Sequence, residues 1–352
     1  MEIRIYNQEM DFLGIIENQS SLIWRRSYNE SGDFELHAPV TASTINLLRL
    51  GNLVWKRGAV DAGVIESIYI EETTLKNEVT AKGRFLTSYM DRRLIRPTFN
   101  FSGKVEIAMR TILTNAAAIP RVQLGELQGF DEEIEFQATY KNLLTYESKL
   151  AKSANFGYRF KPDFTNKVIY FEIYKGLDRS IHQSDRNRVI FSEEYNNISE
   201  ADYEENEQVY SNVCYVGGQG EGSQRTYVTV GDDTLIGLAR REIYKNGSDI
   251  SSENLTDAQY LDKLRQRGYE TLEENSLYNY FECKTIPKGN FNYGTNYDLG
   301  DIITIEKVNW GITQDLRLSS ISEIYEYGNE VIEPTFGNPL PETVDWEDKD
   351  NG

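Results

Sequence analysis

Histidine is the side chain most often used as a metal ligand or general base near neutral pH, and this chain of 352 residues contains two. His37 lies in a run that alternates like a strand, and His182 lies in a polar segment. Neither has a second histidine at a metal-ligand spacing such as His-x-x-x-His. The sequence therefore predicts no metal site and no histidine-dependent catalysis.

The two cysteines, Cys214 and Cys283, each lie in an apolar, strand-like run. A thiol becomes a good nucleophile when its surroundings lower its pKa, whereas burial in apolar surroundings raises it. A cysteine nucleophile working with a distant histidine is one alternative, but two buried free thiols are the simpler expectation. The sequence also lacks the Gly-x-Ser-x-Gly motif of a serine hydrolase.

Residues 217–222 read Gly-Gly-Gln-Gly-Glu-Gly, which superficially resembles a phosphate-binding loop. Such a loop also needs a Lys-Ser or Lys-Thr pair and a following helix whose N-terminus faces the phosphate. The sequence shows neither feature here. We predict a glycine-rich connection between strands, lying close to another subunit, and no nucleotide or other cofactor.

The 56 acidic residues leave one kind of chemistry open, because a glycosidase needs only two carboxyl groups at a suitable separation. Glu193-Glu194 and Glu204-Glu205 are adjacent pairs, although nothing distinguishes them from solvated acidic faces. A cell-wall (peptidoglycan) hydrolase is therefore one alternative function. A host carbohydrate-binding module is another, since the 23 tyrosines and 4 tryptophans offer rings on which sugars stack.

The charge balance argues against stable binding of DNA. The chain carries 37 basic and 56 acidic residues, for a formal net charge of -19, whereas affinity for DNA grows with the number of phosphates neutralised. An acidic surface would suit DNA that slides past, because like charges prevent adhesion. No apolar run approaches the ~20 residues that cross a bilayer, and the N-terminus shows no signal peptide, so we expect synthesis in a cytoplasm.

The elements that must position these residues indicate a mainly β chain with an α+β insert. Residues 1–98 carry six or seven short strand patterns and predict a first antiparallel β-barrel domain. Residues 99–186 predict a small α+β insert domain. Residues 187–338 predict a second β-barrel domain that includes a helix at 256–275, and the acidic residues 339–352 predict a disordered tail.

Two helix starts are expected within these segments. Thr139 is the expected cap of the second helix of the insert, because a hydroxyl at that position can accept from an unpaired backbone N–H. The helix at 256–275 begins with Thr256 and has Gln259 three residues later, which is the pattern of a capping box.

A short pattern occurs twice and predicts an internal duplication. Residues 50–55, Leu-Gly-Asn-Leu-Val-Trp, match residues 299–304, Leu-Gly-Asp-Ile-Ile-Thr, and residues 67–69 match residues 323–325. Gly51 to Ile68 spans 17 positions and Gly300 to Ile324 spans 24, so the second hairpin would carry about seven extra residues. The alternative is that two unrelated hairpins share a common start.

An ordered set of motifs resembles the siphophage tail proteins that form the tail hub. The first is the run Asn-Val-Cys-Tyr-Val-Gly-Gly-Gln-Gly-Glu-Gly at 212–222, followed by Arg225. The others, in the same order as in the family, are Arg-Arg-Glu-Ile-Tyr at 240–244, Tyr260-Leu261 with Arg-Gln-Arg-Gly at 265–268, residues 293–301, and Ile-Glu-Pro-Thr-Phe-Gly at 332–337.

The resemblance implies a structural virion protein of a phage or prophage tail, assembled in a bacterial cytoplasm, and not an enzyme. It implies a homotrimer in which two similar barrels per chain give six positions, so that a threefold tip meets a sixfold tube. The implied partners are the distal tail protein or tail tube and the tip or receptor-binding proteins, with DNA passing through a channel. The residues expected at the ring interface are Leu50, Gly51, Leu53, Val54, Gly217, Gly218, Gly220, Gly222, Leu299, Gly300, Ile302 and Ile303.

Overall fold

A computed structural model describes residues 1–73, 77–253, 255–286, 290–326 and 328–338. The chain is mostly β and its strands form several sheets, which confirms the predicted fold class. The tail predicted at 339–352 lies outside the described residues. In the parts of the chain that are described, no helix is both long enough and apolar enough to span a membrane.

The first 85 residues form eight strands because apolar side chains recur at every second position. In the fourth strand Phe34, Leu36 and Ala38 are buried while the residues between them are not. The elements are β1 (Ile3–Tyr6), β2 (Phe12–Ile16), β3 (Ser21–Ser27), β4 (Asp33–Pro39), α1 (Ala42–Leu47), β5 (Leu53–Lys56), β6 (Gly63–Val64), β7 (Ser67–Glu72) and β8 (Asn77–Arg84). We call these strands the first repeat.

Residues 86–175, the first insert, pack two helices against short strands. The elements are β9 (Phe99–Lys104), α2 (Val105–Asn115), β10 (Val122–Leu124), β11 (Glu133–Ala138), α3 (Leu143–Ser153), β12 (Gly157–Asp163) and β13 (Val168–Tyr174). The cap of α3 is Asn142, whose side chain accepts from Thr145 N, and the expected cap Thr139 instead bonds Thr98. The prediction of Thr139 was wrong because Asn142 is also a favoured cap and lies one residue before the helix.

The rest of the chain contains two units, one of which is inserted into the sequence of the other. Its elements are β14 (Ile190–Ser192), β15 (Ile198–Asn206), β16 (Val213–Gly217), β17 (Tyr227–Gly231), β18 (Glu242–Asn246), α4 (Asp257–Glu274), β19 (Tyr278–Thr285), β20 (Ile302–Lys307), β21 (Ile312–Glu326) and β22 (Asn329–Asn338). Residues 207–277, the second insert, hold the sheet β17-β16-β18 and α4; the remaining strands are the second repeat. The capping box of Thr256 and Gln259 is confirmed.

The two repeats share one strand order. One long sheet runs β15-β19-β22-β21-β3-β4-β8-β7, with β20 paired to β21 and β14 paired to β20. The order β15-β19-β22-β21 is the counterpart of β3-β4-β8-β7, and each half is antiparallel throughout. The repeats are joined where β21 pairs with β3, so the duplicated halves lie side by side in a single sheet.

The two hairpins that start with Leu-Gly have matching backbone hydrogen bonds. Gly51 N donates to Ile65 O (2.8 Å) and Ile65 N to Asn52 O (2.9 Å); Gly300 N donates to Leu318 O (2.8 Å) and Leu318 N to Asp301 O (2.8 Å). Both glycines adopt positive φ, +83° and +89°. Gly51 and its partner Ile65 are 14 positions apart, and Gly300 and its partner Leu318 are 18 positions apart, so the second hairpin is longer by four residues. The predicted difference of seven residues was wrong because Ile68 was matched to Ile324, whereas its structural counterpart is Ile321.

Strand pairing in the described residues does not close either repeat into a barrel. In the first repeat, the sheet β2-β1-β5-β6 faces the long sheet across a core that includes Trp24 and Phe34, linked by one bridge from Gly63 to Phe85. The repeats also differ, since β5 pairs antiparallel with β1 whereas β20 pairs parallel with β14. The domain limits at 98/99 and 186/187 stay predictions.

A buried arginine joins the two repeats beneath the β21–β3 pairing. Arg26 donates to Asp61 of the first repeat at 2.7 Å and contacts Tyr293 and Asp298 of the second, the latter at 3.3 Å. Its side chain is 9% exposed. Burial alone would disfavour the charge, but Asp61, Tyr293 and Asp298 hold the pKa of Arg26 above its ordinary value.

A second contact links both repeats to the first insert. The Tyr28 hydroxyl donates to Asn155 O at 2.9 Å and accepts from Gly176 N at 3.1 Å. Any Cβ added at Gly176 would lie 1.8 Å from Gly300 C, and one at Gly300 would lie 2.1 Å from the Tyr28 ring. Glycine is therefore required at both positions by this close approach.

We predict that Arg26→Met lowers the free energy of unfolding by about 3 kcal/mol, because it leaves the buried Asp61 carboxylate unpaired. The matched control is Arg25→Met, whose side chain is half exposed and pairs with Asp33; its effect should stay below about 1 kcal/mol. Chemical denaturation of both variants measures the difference, and equal effects would contradict the assigned role of Arg26.

One carboxyl group in the first insert is buried with no hydrogen-bond partner among the described residues. Both oxygens of Glu147 in α3 lack a partner, and burial raises the pKa of the Glu147 carboxyl well above its ordinary value. Glu106 in α2 is also buried, but its carboxylate accepts from Gln128 N and Gly129 N at 2.7 Å and from Phe130 N at 3.2 Å.

We predict that Glu147→Gln stabilises the protein at pH 8 by at least about 1 kcal/mol, because the native carboxyl must stay protonated or carry a buried charge. A raised folded-state pKa favours folding at low pH and loses that advantage as pH rises above about 4.3. The gain should therefore shrink between pH 8 and pH 5.5 in urea denaturation. Glu106→Gln should destabilise the protein instead, and the same sign for both variants would refute the distinction.

Candidate functional site: a polar sheet face with two outer edges

One face of the long sheet is polar and acidic. Alternate residues of its eight strands point away from the two cores, as shown by the buried partners Trp24, Phe34, Phe281 and Phe336 on the opposite face. The acidic residues on the polar face are Asp33, Glu35, Glu71, Glu78, Glu200, Asp202, Glu204, Glu282, Glu326 and Glu333. The same face carries four basic residues, Arg25, Lys82, Arg84 and Lys284, so acidic residues outnumber basic ones and this surface is strongly negative.

The cations on the polar face are held by some of these carboxylates. Arg25 pairs with Asp33 at 2.7 Å, Lys82 with Glu35 at 3.0 Å, and Lys284 with Glu200 at 2.8 Å. His37 lies between Glu35 and Glu78, at 2.8 and 2.9 Å. No group of three or more metal-ligating side chains that could hold an ion occurs in the described part of the chain.

The long sheet ends in β7 on one side and β15 on the other, as far as the described residues show. Edge strands carry backbone N–H and C=O groups able to pair with another strand. On β7, Tyr69 is 62% and Ile70 is 46% exposed. In the repeat, β7 is the counterpart of β21 and β15 is the counterpart of β3, which are the two strands that pair in the middle of the sheet.

The residues predicted for a ring interface are divided between core and surface. Leu53, Val54, Leu299 and Ile303 are buried in the chain's own cores, Ile302 is partly buried, and Leu50 is 64% exposed. Gly51 and Gly300 form the turns described above. Their place in an interface stays a prediction. Sequence reasoning missed β7 and β15, whose edge position depends on which distant strands pair and leaves no local signal.

The glycine-rich loop at 217–222 is held within the second insert. Arg225 donates to the carbonyls of Gly218 (2.9 Å) and Gly217 (3.0 Å), and the Tyr260 hydroxyl accepts from Gln219 N at 2.7 Å. A Cβ at Gly218 would lie 2.3 Å from that hydroxyl. Gly220 and Gly222 have positive φ. The loop presents carbonyls to a guanidinium, which is unlike a phosphate-binding loop; its proximity to another subunit stays a prediction.

The adjacent acidic residues and the two cysteines, which were considered above for catalysis, are placed by the strands that carry or contact them. Glu204 and Glu205 are neighbours in β15 and therefore point to opposite faces of the sheet. Glu193 pairs with Lys307. Burial raises the pKa of both the Cys214 and Cys283 thiols, which disfavours the nucleophilic thiolate.

A cleft of about 1140 Å³ lies between the first repeat and the first insert. Its lining combines rings with charged groups: Tyr6, Phe12, Trp55, Phe164, Tyr170, Arg4, Glu126, Lys161 and Glu172. The Tyr6 and Phe164 rings stack with centroids 3.8 Å apart, and Phe12 is 55% exposed. Rings that present a face beside hydrogen-bonding groups suit a sugar.

The solved structures that share this fold include three tail proteins. They are a tail protein from Neisseria meningitidis MC58 (TM-score 0.61, 13% identity, 95% of each chain covered), the prophage MuSo2 43 kDa tail protein from Shewanella oneidensis (0.57, 14%, 96% and 99%) and the prophage tail protein gp18 from Listeria monocytogenes EGD-e (0.55, 14%, 96% and 94%). No relative by sequence is found among curated proteins.

The family comparison covers nearly the whole described chain. The model described as "Siphovirus ReqiPepy6 Gp37-like protein" matches residues 2–338. This confirms the resemblance to siphophage tail proteins that the motifs indicated, and it places the protein in the virion tail. The polar-faced, duplicated sheet is thus the fold of a chain that belongs to the Siphovirus ReqiPepy6 Gp37-like family of siphovirus tail proteins.

Proposed function

We propose that three copies of this chain form a ring in the phage tail, which joins the sixfold tail tube and distal tail protein to a threefold tip. The observation that carries the proposal is the sheet order itself. The chain pairs β21 of one repeat with β3 of the other, and its outer strands β7 and β15 are the counterparts of that same pair. The outer edges β7 and β15 should therefore be able to pair with each other between chains, as β21 and β3 pair within the chain. The role we propose is structural rather than catalytic.

A ring follows from repeating the internal contact between chains. If β7 of one chain pairs with β15 of the next, each new joint repeats the rotation that already relates the two repeats. Such a head-to-tail contact closes when the rotation divides a full circle. Three chains then supply six similar positions around one axis, which matches a hexameric tube without a symmetry conflict.

In this ring the polar face of the long sheet lines the axial channel, because the opposite face is occupied by the two cores. Ten carboxylates against four lysines and arginines per chain would repel the DNA backbone. DNA could then pass during ejection without adhering, consistent with a net charge of -19. Tip or receptor-binding proteins would contact the end of the ring that faces away from the tube.

We predict that Ile70→Lys abolishes trimers, because it puts a charge on the apolar side of an edge strand that must pair. Ile70 is 46% exposed in the single chain, so the fold should tolerate the change. Leu124→Lys is the matched control, since Leu124 is 37% exposed on the edge strand β10 of the first insert. Sedimentation velocity at 0.5 M NaCl and particle images measure the assembly.

The expected result is a threefold ring with a central hole for the unmodified chain and for Leu124→Lys, and monomers for Ile70→Lys. A closed twofold dimer, an open polymer, or unchanged assembly of Ile70→Lys would rule out pairing through β7.

The aromatic cleft supports a second candidate, the binding of host cell-wall polysaccharide. Phe12→Ala should weaken binding of purified wall polysaccharide by about tenfold if the ring stacks on a sugar. Ile236→Ala is the control, because Ile236 is 82% exposed in the second insert, outside the residues that line the cleft. Isothermal titration with intact chain measures both. Absence of binding to the unmodified chain would discard this candidate and leave the ring proposal intact.

A further inference from the structure

The internal duplication fixes which residues would face each other between chains. In the first repeat, Ile68 pairs with Ala81, Leu36 with Ala81, and Leu22 with Leu36. In the second, Ile321 pairs with Pro334 and Cys283 pairs with Ala201. The β19–β22 register ends at the pair of Glu282 with Thr335, and continuing it by one residue sets Cys283 opposite Pro334. Each position of β7 thus has a counterpart 253 residues later in β21, and each position of β3 has one 179 residues later in β15.

Transferring the observed β21–β3 register onto the outer edges gives a definite pairing. Within the chain, Ser320 pairs with Ser27, Ser322 with Arg25, and Ile324 with Ile23. The corresponding pairs between chains are Ser67 with Asn206, Tyr69 with Glu204, and Glu71 with Asp202. All six of these side chains lie on the polar face.

We call the β21–β3 pairing the internal joint and the proposed β7–β15 pairing between chains the outer joint. The two joints carry different charges at equivalent positions. Arg25 stands on the polar face of the internal joint and pairs with Asp33 at 2.7 Å. Its counterpart at the outer joint is Glu204. The outer joint also sets Glu71 opposite Asp202, and like charges directly opposite each other on paired strands are destabilising.

The strands next to the outer joint add further charge. Glu78 and Glu282 flank it, and so do Lys82, Arg84 and Lys284. These cations make ion pairs of their own, Lys82 with Glu35 at 3.0 Å, Arg84 with Glu66 at 2.9 Å and Lys284 with Glu200 at 2.8 Å. Among the described residues, these three cations beside the joint are therefore already paired with carboxylates, and the joint adds the approach of Glu71 to Asp202.

We propose that electrostatic repulsion controls ring closure between copies of this chain. The groups concerned are Tyr69 and Glu71 on β7, which would lie opposite Glu204 and Asp202 on β15 of the next chain. The proposal rests on the ring proposed above and adds its register and its regulation. The internal joint forms within one chain, whereas the outer joint forms when the carboxylate repulsion is screened or neutralised. The free chain thus stays monomeric until conditions or a cationic neighbour offset that repulsion.

The first test is the salt dependence of assembly. Sedimentation of the full chain in 20 to 500 mM NaCl should show association that increases with salt, because the Debye length falls from about 20 Å to about 4 Å. Asp202→Lys places a cation opposite Glu71 and should raise trimer association at 20 mM NaCl by about tenfold or more. The same variant should lose the salt dependence or reverse it, which a general salting-out effect would not do.

Two further variants separate charge at the joint from net charge and from misfolding. Glu253→Lys changes net charge equally on an exposed segment of the second insert and should leave association unchanged. Asp202→Asn removes the carboxylate with minimal change of shape and should give an intermediate gain. Thermal unfolding of the monomers confirms that each variant folds.

Crosslinking tests the register separately. The double variant Tyr69→Cys with Glu204→Cys should give covalent dimers and trimers with a short thiol crosslinker. Tyr69→Cys with Glu200→Cys should not, because Glu200 lies on the same face about 13 Å further along the strand. The native Cys214 and Cys283 are buried and should contribute no background.

The outcomes distinguish the two proposals. Trimers that ignore both salt and Asp202→Lys would overturn the electrostatic control while leaving the ring intact. Trimers that crosslink through Glu200→Cys instead of Glu204→Cys would overturn the register and with it the charge argument. A failure of every variant to form trimers at any salt concentration, with all of them folded, would overturn both proposals.

Discussion

The pairing of β21 with β3 is the contact on which the rest of this molecule depends. It joins two copies of a four-strand order into one sheet, so that the cores of both repeats lie on one side and a polar face on the other. Arg26 fixes the joint from below, because its guanidinium bridges Asp61 of the first repeat and Asp298 of the second. A buried ion pair is costly to break, because removing one partner leaves the other charge buried without a counterion. The two repeats are thereby held in one relative orientation.

That fixed orientation gives the inserts their positions. The first insert contacts Tyr28 at the end of β3, and Gly176 lies against Gly300 where a side chain would not fit. The second insert reaches the first through α4, whose Lys263 donates to Phe136 O at 3.2 Å. Neither insert covers the outer strands β7 and β15, which remain the ends of the long sheet in the described residues. The arrangement suits a building block whose edges pair with copies of itself.

The chemistry of the chain agrees with such a role. Carboxylates dominate the polar face, the thiols are buried, and the glycine-rich loop is bound by an arginine of its own insert. Of the adjacent acidic residues considered for hydrolysis, Glu204 and Glu205 point to opposite faces of β15, and Glu193 pairs with Lys307. In the proposed ring the acidic character has a further consequence, because the face proposed to line the DNA channel would also set carboxylates against each other at the edges. Under this proposal, assembly and passage of DNA would depend on the same charges.

Much of this could be read from residues close together in the sequence. Alternating apolar residues predicted the strands, Thr256 and Gln259 predicted the start of α4, and the two Leu-Gly runs predicted a repeated turn. The ordered motifs predicted the family. Local rules failed where two residues competed for one role, as at Thr139 and Asn142, and where a hairpin's length depended on its register, as with Ile68 and Ile321.

The sequence by itself determined the β-rich class, the duplicated turn and the acidic charge, because each depends on neighbouring residues or on composition. Only the tertiary structure decided which strands end the sheet, that Arg26 bridges the repeats, and that Glu204 occupies the place of Arg25. These depend on pairings between strands more than 250 residues apart, such as Ile23 with Ile324. Every strand offers the same backbone N–H and C=O groups for pairing, so no local pattern specifies the partner of a distant strand.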